Sequence, residues 1–317
     1  MDDLPDEIIM KDDLTQINTA LPLKAPYRTG IYLSYDYPPG TTDTHFRQGT
    51  NIDAHFRASG SRQLDFKPLE SVLKYLTNKV PQGKVVHLVD LRQESHLFLN
   101  ESAVSWYADK DWANVGQSLD WIRKNEENQI KRFSGAPAVR TQIFQIAKED
   151  QDQVKPTGYS ELTVRSAQLE SEMKMTSCMY HRIPVTDHCP PNYEAAELFV
   201  TLCRDIYKQP EDQSWIHFHC HGGDGRTTTF LAMYDMACWA KANGRELSEF
   251  AFPSVGYFAN RQLQLFAYDL NPAGCDKIKD WKCALSIERW AWLGAWRQWI
   301  VGGGLTNNNP PPPSPIP

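Results

Sequence analysis

One segment constrains the fold of this chain more than any other: His219-Cys220-His221-Gly222-Gly223-Asp224-Gly225-Arg226-Thr227. Residues 214–219, which precede it, are aromatic and β-branched, a composition typical of a strand. Residues 227–242, which follow it, place their apolar side chains at helical intervals. The segment is therefore predicted to be a strand-to-helix turn in an α/β fold.

A turn of this kind can form a cradle for a phosphate group. Its three glycines allow successive backbone N–H groups to point inward, and the helix N-terminus adds partial positive charge. Both effects favour a thiolate at Cys220, which makes this residue the candidate nucleophile. Arg226 can hold two phosphate oxygens, and Thr227 can donate a hydrogen bond to the sulfur when it leaves.

Two other interpretations of the segment are weaker. A lone cysteine is usually a small buried hydrophobe, and a glycine-rich loop alone is weak evidence of a site. A Walker A loop is excluded because Gly-x4-Gly-Lys-Ser/Thr is not present. The order of strand, His-Cys, five residues, Arg-Thr and apolar helix is much more specific, and it favours a cysteine-dependent phosphatase.

This segment resembles the signature of protein tyrosine phosphatase-like enzymes, and its surroundings narrow the similarity to the bacterial tyrosine-phosphatase-like phytases. These enzymes dephosphorylate myo-inositol hexakisphosphate (phytate). The resemblance covers about residues 25–300 and implies an α/β fold: a tyrosine-phosphatase-like core with a central mixed sheet flanked by helices. It also implies roles for the remaining loop residues, catalytic for His219 and substrate-binding for the following set: His221, Gly222, Gly223, Asp224 and Gly225.

The predicted domain organisation follows from this resemblance and from composition. Residues 25–302 form the catalytic domain, with a small β subdomain inserted at about residues 98–170. Residues 1–24 are an acidic lead-in. Residues 303–317, rich in Gly, Asn and Pro, are predicted to be a disordered or extended tail.

A carboxylic acid is needed to protonate the leaving oxygen, and Asp187 is the candidate. It lies 33 residues before Cys220, on a loop that Pro190 and Pro191 stiffen. The alternative is a helix N-cap, because Asp-x-x-Pro before a helix is a common start signal. Asp187-His188 matches the family's Asp-His pair, which implies that His188 contacts phosphate.

The long helix predicted over residues 277–300 carries further candidates. Lys282, Ser286 and Arg289 are spaced i, i+4 and i+7, on one face and about 10 Å from end to end. That span suits a ligand with several phosphates, and a solvated helix face is the alternative. The family has lysine, tyrosine and lysine at these positions, so this chain keeps the charges and lacks the aromatic contact.

The resemblance implies two more substrate-site residues, nearer the N-terminus. Arg28 stands in Pro26-Tyr27-Arg28-Thr29, which resembles the family's aromatic-Arg-Thr element, whose arginine reaches the substrate. By itself it equally suits a solvated surface. Asp111 matches a substrate-site residue of the phytases, and on sequence grounds alone it could be a turn former.

This chain also departs from the family. Two strand-like runs, residues 141–147 and 161–167, predict the hairpin of the β subdomain. The family presents a His-Lys pair from this hairpin, whereas the corresponding loop here is Lys148-Glu149-Asp150. Asp224 stands where the compared member has an apolar residue, and its charge is unfavourable for a polyanion.

Two charged residues receive a structural interpretation. Asp90 and Arg92 lie at the carboxyl end of a strand predicted over residues 84–91. That end of a strand in an open α/β sheet is where ligands bind. We nevertheless expect both residues to form ion pairs that brace the loop behind the active site.

Composition limits the remaining functional classes. The net charge of -6 gives no global attraction to nucleic acid, and no stretch approaches the length of a membrane span. Seven scattered cysteines without a C-x-x-C pair predict free thiols and neither a disulfide framework nor a zinc site. We expect no metal or cofactor and a monomer. No signal peptide is apparent; the family suggests a secreted, periplasmic or host-delivered enzyme.

The sequence therefore predicts a phosphatase that acts on phytate through a phosphocysteine intermediate, with an inositol polyphosphate as its small-molecule partner. A phosphatase of phosphotyrosine proteins or phosphoinositides with the same mechanism is the first alternative. The second is a module that binds inositol phosphates without turnover.

Overall fold

The computed structural model describes residues 31–133, 138–148, 153–173, 177–208, 214–243, 251–275, 280–307 and 309–313. The strands are β1 (Tyr32–Tyr35), β2 (Arg47–Gln48), β3 (Ala58–Arg62), β4 (Val85–Arg92), β5 (His96–Leu99), β6 (Ser102–Tyr107), β7 (Val139–Lys148), β8 (Val154–Val164), β9 (Ala167–Gln168), β10 (Cys178–Val185) and β11 (Ser214–Cys220). The helices are α1 (Phe66–Thr77), α2 (Leu119–Phe133), α3 (Tyr193–Tyr207), α4 (Gly225–Asn243), α5 (Val255–Leu265) and α6 (Trp281–Val301).

The chain divides into two compact units, each built from three stretches of sequence. The first, here the Cys220 unit, comprises residues 44–62, 72–91 and the described part of 176–317. The second, here the hairpin unit, comprises the described parts of residues 1–43 and 92–175, together with residues 63–71. The predicted subdomain at about residues 98–170 falls within the hairpin unit, which is larger than predicted.

A five-stranded sheet in the order β10-β4-β11-β3-β2 organises the Cys220 unit. β11 lies at its centre and runs parallel to both β3 and β4, whereas β2 is antiparallel to β3. Every residue of β11 is buried, which explains its run of aromatic and β-branched side chains. The predicted mixed sheet is confirmed.

Polar side chains fix the pairing of β11 with β3. The two ring nitrogens of His217 lie 2.9 Å from the hydroxyl oxygen of Ser59 and 3.1 Å from that of Ser61. Trp215 Nε1 donates to the Ser59 hydroxyl at 2.8 Å. Because these groups are buried, a shift in register would leave them without their partners.

The helices of this unit start where the sequence supplies a cap. Asn192 caps α3, Ser254 caps α5 and Asp280 caps α6, each through its side-chain oxygen. α4 is buried along most of its length, and the tryptophans of α6 join the same core. Trp290, Trp292, Trp296 and Trp299 of α6 thus contribute to the core.

The C-terminal segment packs against α3 and α6. Arg204 donates to the backbone carbonyls of Gly304, Asn307 and Asn309 at 2.6–2.7 Å. Trp299 Nε1 donates to the carbonyl of Pro310 at 2.6 Å. Over the residues described, this segment begins with turns at residues 302–307 and is hydrogen-bonded to the unit through residues 304–310.

The hairpin unit contains a four-stranded sheet in the order β1-β6-β5-β9 and the two-stranded hairpin β7-β8. The hairpin confirms the strand predicted over residues 141–147; of the run predicted over residues 161–167, residues 161–164 lie in β8 and Ala167 begins β9. Its apolar side chains Ile143 and Val164 join a core formed with residues of β1, β5, β6 and α2.

The ion pairs expected at the end of β4 are present. Asp90 accepts from Arg182 and from Tyr180, the latter at 2.7 Å. In the hairpin unit, Arg92 lies 2.7 Å from Asp36 and 2.9 Å from Glu94, and its side chain is fully buried. The expected ion pairs are therefore present, with Glu94 as a local partner and Asp36 and Arg182 as partners from other parts of the chain.

The prediction of free thiols is wrong for one pair of cysteines. Cys275 and Cys283 form a disulfide with 5.5 Å between their Cα atoms. Cys275 precedes α6 and Cys283 lies in its first turn, so proximity in the fold pairs residues that spacing alone did not. The other five cysteines carry thiols. Among the described residues, no helix is long and apolar enough to cross a membrane.

Candidate active site

The turn between β11 and α4 has the geometry that its glycines predicted. Gly223 has a φ of +76°, in the left-handed region that favours glycine. A Cβ atom at this position would lie 2.5 Å from the backbone nitrogen of Arg62 and 2.7 Å from the carbonyl carbon of Ser61. The turn thus packs directly on the end of β3, and only glycine fits there.

Cys220 lies at the base of this turn, at the end of β11. Its Sγ accepts a hydrogen bond from Gly223 N at 3.2 Å and another from Thr227 Oγ1 at 3.1 Å. The side chain is buried and faces the N-terminus of α4. Both donors and the helix dipole stabilise negative charge on sulfur.

Arg226 and Asp187 meet at the same turn. Arg226 Nη1 donates to the carbonyl of Val185 at 3.1 Å, and its Nε lies 3.1 Å from Asp187 Oδ1. The arginine is almost completely buried, while the Asp187 side chain keeps 20% of its surface exposed. The loop after β10 therefore places a partly accessible carboxyl beside the buried guanidinium.

His188 joins this group from the same loop. Its Nε2 lies 3.3 Å from Asp187 Oδ2, and its ring packs edge-on against Trp281 at 5.1 Å. Burial lowers the pKa of His188; the charge of Asp187 opposes this shift, whereas Lys282 and the two neighbouring arginines add to it. The structure thus brings together the predicted residues of this loop and of α6.

Arg289 on α6 lies against the catalytic turn. A Cβ atom on Gly225 would be 2.8 Å from its Nη1. Its Nη2 donates to the Tyr268 hydroxyl at 2.9 Å and lies 3.5 Å from Ser286 Oγ. Tyr268 thus supplies a phenol beside the basic residues, although Ser286 stands where the family has tyrosine. Sequence reasoning did not identify Tyr268 as part of this site.

A second group that sequence reasoning missed lies on and before β2. His45 Nδ1 is 2.8 Å from the carbonyl oxygen of Gly222 and 3.2 Å from Asp224 Oδ1. Arg47 is buried, donates to Thr228 Oγ1 at 2.9 Å and stacks on the Phe266 ring at 4.6 Å.

Burial lowers the pKa of Arg47 to about 10, although Cys220 and Asp224 act in the opposite direction. Arg47 therefore adds positive charge behind the turn. Nothing in the sequence pattern marks this polar segment as part of a site.

The other predicted residues have different surroundings. His219 is buried within β11, where it is in register with Ser61 and Asp90. Asp111 belongs to the hairpin unit, where it is buried in a short 3-10 turn with a φ of +66°. Arg28 and residues 149–150 lie outside the described residues.

A model of the PTP-like phytase family, described as inositol hexakisphosphate, matches residues 89–238. The chain is similar to a solved tandemly repeated protein tyrosine phosphatase-like phytase from Mitsuokella multacida, at 26% identity and a TM-score of 0.70, over 89% of this chain and 46% of that one. It is also similar to a PTP-like phytase from Bdellovibrio bacteriovorus, at 27% identity and a TM-score of 0.64, over 86% of this chain and 90% of that one.

A curated relative is the effector protein HopD2 of Pseudomonas syringae pv. tomato. It is 29% identical over 164 residues, which make up 52% of this chain and 34% of the effector. The chain thus spans about a third of the length of HopD2.

Proposed function

We propose that this chain, which is similar to protein tyrosine phosphatase-like phytases, is a cysteine-dependent phosphatase that hydrolyses phosphomonoesters of myo-inositol hexakisphosphate. One observation carries the proposal: Cys220 Sγ accepts hydrogen bonds from Gly223 N and Thr227 Oγ1 in the same turn that holds Arg226 beside Asp187. These are the groups that transfer of a phosphoryl group to sulfur requires.

In the first step, the Cys220 thiolate attacks phosphorus and forms the S–P bond while the bond from phosphorus to the inositol oxygen breaks. Backbone N–H groups of the turn and the Arg226 guanidinium hold the phosphoryl oxygens. Asp187, in its protonated form, gives its proton to the leaving oxygen, so that inositol departs as an alcohol.

In the second step, water attacks the phosphocysteine. Asp187, now a carboxylate, accepts a proton from this water as the O–P bond forms and the S–P bond breaks. Cys220 leaves as a thiolate, which the donors at Gly223 and Thr227 stabilise. Inorganic phosphate is released, and the enzyme returns to its starting protonation state.

The choice of an inositol polyphosphate rests on the basic residues around the turn. Arg289 lies against Gly225, and Lys282 and His188 both contact Trp281. A ring that presents one phosphate to Cys220 would place further phosphates within reach of these side chains. Each charge-assisted contact of this kind strengthens binding of a polyanion more than of a monoester.

Asp224 is the specific observation that favours a second candidate function. Its carboxylate lies in the turn itself and is 43% exposed. A negative group there suits a monoester with few other charges, such as a phosphotyrosine side chain, or a phosphoinositide. The same catalytic chemistry would apply to these substrates.

Phosphate release from inositol hexakisphosphate and from a phosphotyrosine peptide, at matched concentrations, tests both candidates. We expect preference for the inositol phosphate and loss of turnover in Cys220→Ser, because serine is a far weaker nucleophile at this position. Cys178→Ser, at the start of β10, is the matched control and should keep full activity.

Chelation by EDTA should leave the rate unchanged, because no step of the scheme uses a metal ion. Turnover that persists in Cys220→Ser would refute the mechanism. Preference for the peptide would overturn the substrate assignment.

A further inference from the structure

The Asp224 carboxylate is the negative group in a turn otherwise suited to bind anions. Its Oδ1 faces His45 at 3.2 Å, and its Oδ2 lies 3.3 Å from where a Cβ atom on Gly222 would be. The side chain therefore folds back over the turn and remains partly exposed. A phosphate that approached this side would meet a carboxylate instead of a donor.

His45 holds the carboxylate in this position. Its Nδ1 lies 2.8 Å from the Gly222 carbonyl oxygen, which can only accept, so this nitrogen carries the hydrogen and also points toward Asp224. The ring packs on Phe266 at 4.8 Å, and its backbone has a φ of +49°. A left-handed backbone at a residue with three such contacts indicates a fixed geometry.

The surrounding charges explain why the carboxylate is tolerated. Burial raises the pKa of Asp224, and the negative charge of Asp187 acts in the same direction. His45 and Arg47 oppose this shift, since both stabilise the ionised form. His45, just before β2, and Arg47, in β2, thus stabilise the negative charge of Asp224 in the turn.

The basic residues reach the turn from other elements. Arg289 and Lys282 come from α6, and His188 comes from the loop after β10. Two kinds of wall therefore border the turn: one basic, from these elements, and one acidic, at Asp224. Like charges at close range in a partly buried site repel by several kcal/mol before screening.

We propose that Asp224 is a specificity-determining residue that disfavours a second phosphate next to the scissile one on its side of the ring. The preferred substrate is then a partly dephosphorylated inositol phosphate, whose free hydroxyl donates a hydrogen bond to the carboxylate while its other phosphates contact the basic wall. This inference rests on the proposed function and narrows its substrate class.

Binding to catalytically inactive protein tests the inference without relying on turnover. Dissociation constants for myo-inositol monophosphate, tetrakisphosphate and hexakisphosphate are measured by calorimetry with Cys220→Ser and with Cys220→Ser carrying Asp224→Asn. We expect the second substitution to tighten hexakisphosphate binding on the order of tenfold and monophosphate binding less than twofold. The gain should shrink as salt is raised, because salt screens partly exposed charges.

Asp205→Asn, on the exposed face of α3, is the matched control for loss of one charge. It should leave the ratios between the three dissociation constants unchanged. If Asp224→Asn does not fold, Asp224→Ser removes the charge with a smaller side chain. Equal tightening for all three ligands, or none, would overturn the inference. Absence of turnover of every inositol phosphate by the wild type, with the graded binding retained, would overturn the proposed function alone.

Discussion

The contact between Asp187 and Arg226 connects the two proposed steps at the level of single residues. The guanidinium holds the carboxyl 3.1 Å away on the loop after β10, where it remains partly exposed. The same carboxyl can therefore give a proton to one leaving group and take one from water.

Asp187→Asn tests this role. We expect the rate with inositol phosphates to fall about 10²- to 10⁴-fold, the usual contribution of a general acid. The loss should be smaller with p-nitrophenyl phosphate, because nitrophenolate leaves without protonation. Steady-state rates on both substrates give the comparison, and an equal loss on both would indicate a structural role for Asp187.

The residues that the sequence revealed most directly are those that one turn holds together. Cys220, Arg226 and Thr227 lie within eight positions of one another. The same stretch therefore contains both the reactive side chains and the glycines that shape the turn around them. His45 and Tyr268 reach the turn only through the fold, from irregular segments with no periodicity. Their roles depend on sheet pairing and helix packing, which no local pattern encodes.

At the level of elements, the strand-turn-helix unit and the β7-β8 hairpin were predictable because their periodicity is strong. β2 was not, since its two residues pair with β3 only once β3 lies beside β11. The packing of the C-terminal segment was not predicted either, for a similar reason. Its backbone carbonyls are bound by side chains of α3 and α6.

Arg204→Met tests the contribution of this segment to stability. Loss of the hydrogen bonds from Arg204 Nη2, whose two N–H groups are shared among three backbone carbonyls, should lower the free energy of unfolding by about 1–3 kcal/mol. Urea denaturation measures the change. Lys208→Met, at the C-cap of the same helix and with 76% of its side chain exposed, should stay within about 0.5 kcal/mol of the wild type, and a matching loss there would contradict the assignment.

At the scale of the whole molecule, a pair of histidines predicts how stability depends on pH. His87 Nδ1 lies 2.9 Å from His181 Nε2, between the neighbouring strands β4 and β10. Burial and the neighbouring ring lower the pKa of His87 to about 4, and burial also lowers that of His181.

In the unfolded chain each of these histidines binds a proton near pH 6.5, whereas in the folded protein both stay neutral to lower pH. The free energy of unfolding should therefore fall as pH drops from about 6.5 to about 4 and lose nothing further from this pair below that range. Urea denaturation at pH 7 and pH 4.5 measures the difference in the free energy of unfolding between these pH values. In His87→Gln, which cannot titrate, this difference should be smaller by roughly 2 kcal/mol. An unchanged slope would contradict the prediction.

The position of β11 between β3 and β4 has a consequence for how the protein is made. Both neighbours are synthesised early, and Ser59 of β3 precedes its partner Trp215 by 156 residues. During translation the central position of the sheet stays empty until β11, the strand that ends at Cys220, has been synthesised. Such distant pairing slows folding. A chain that ends before β11 therefore lacks both the central strand of the sheet and the Cys220 nucleophile.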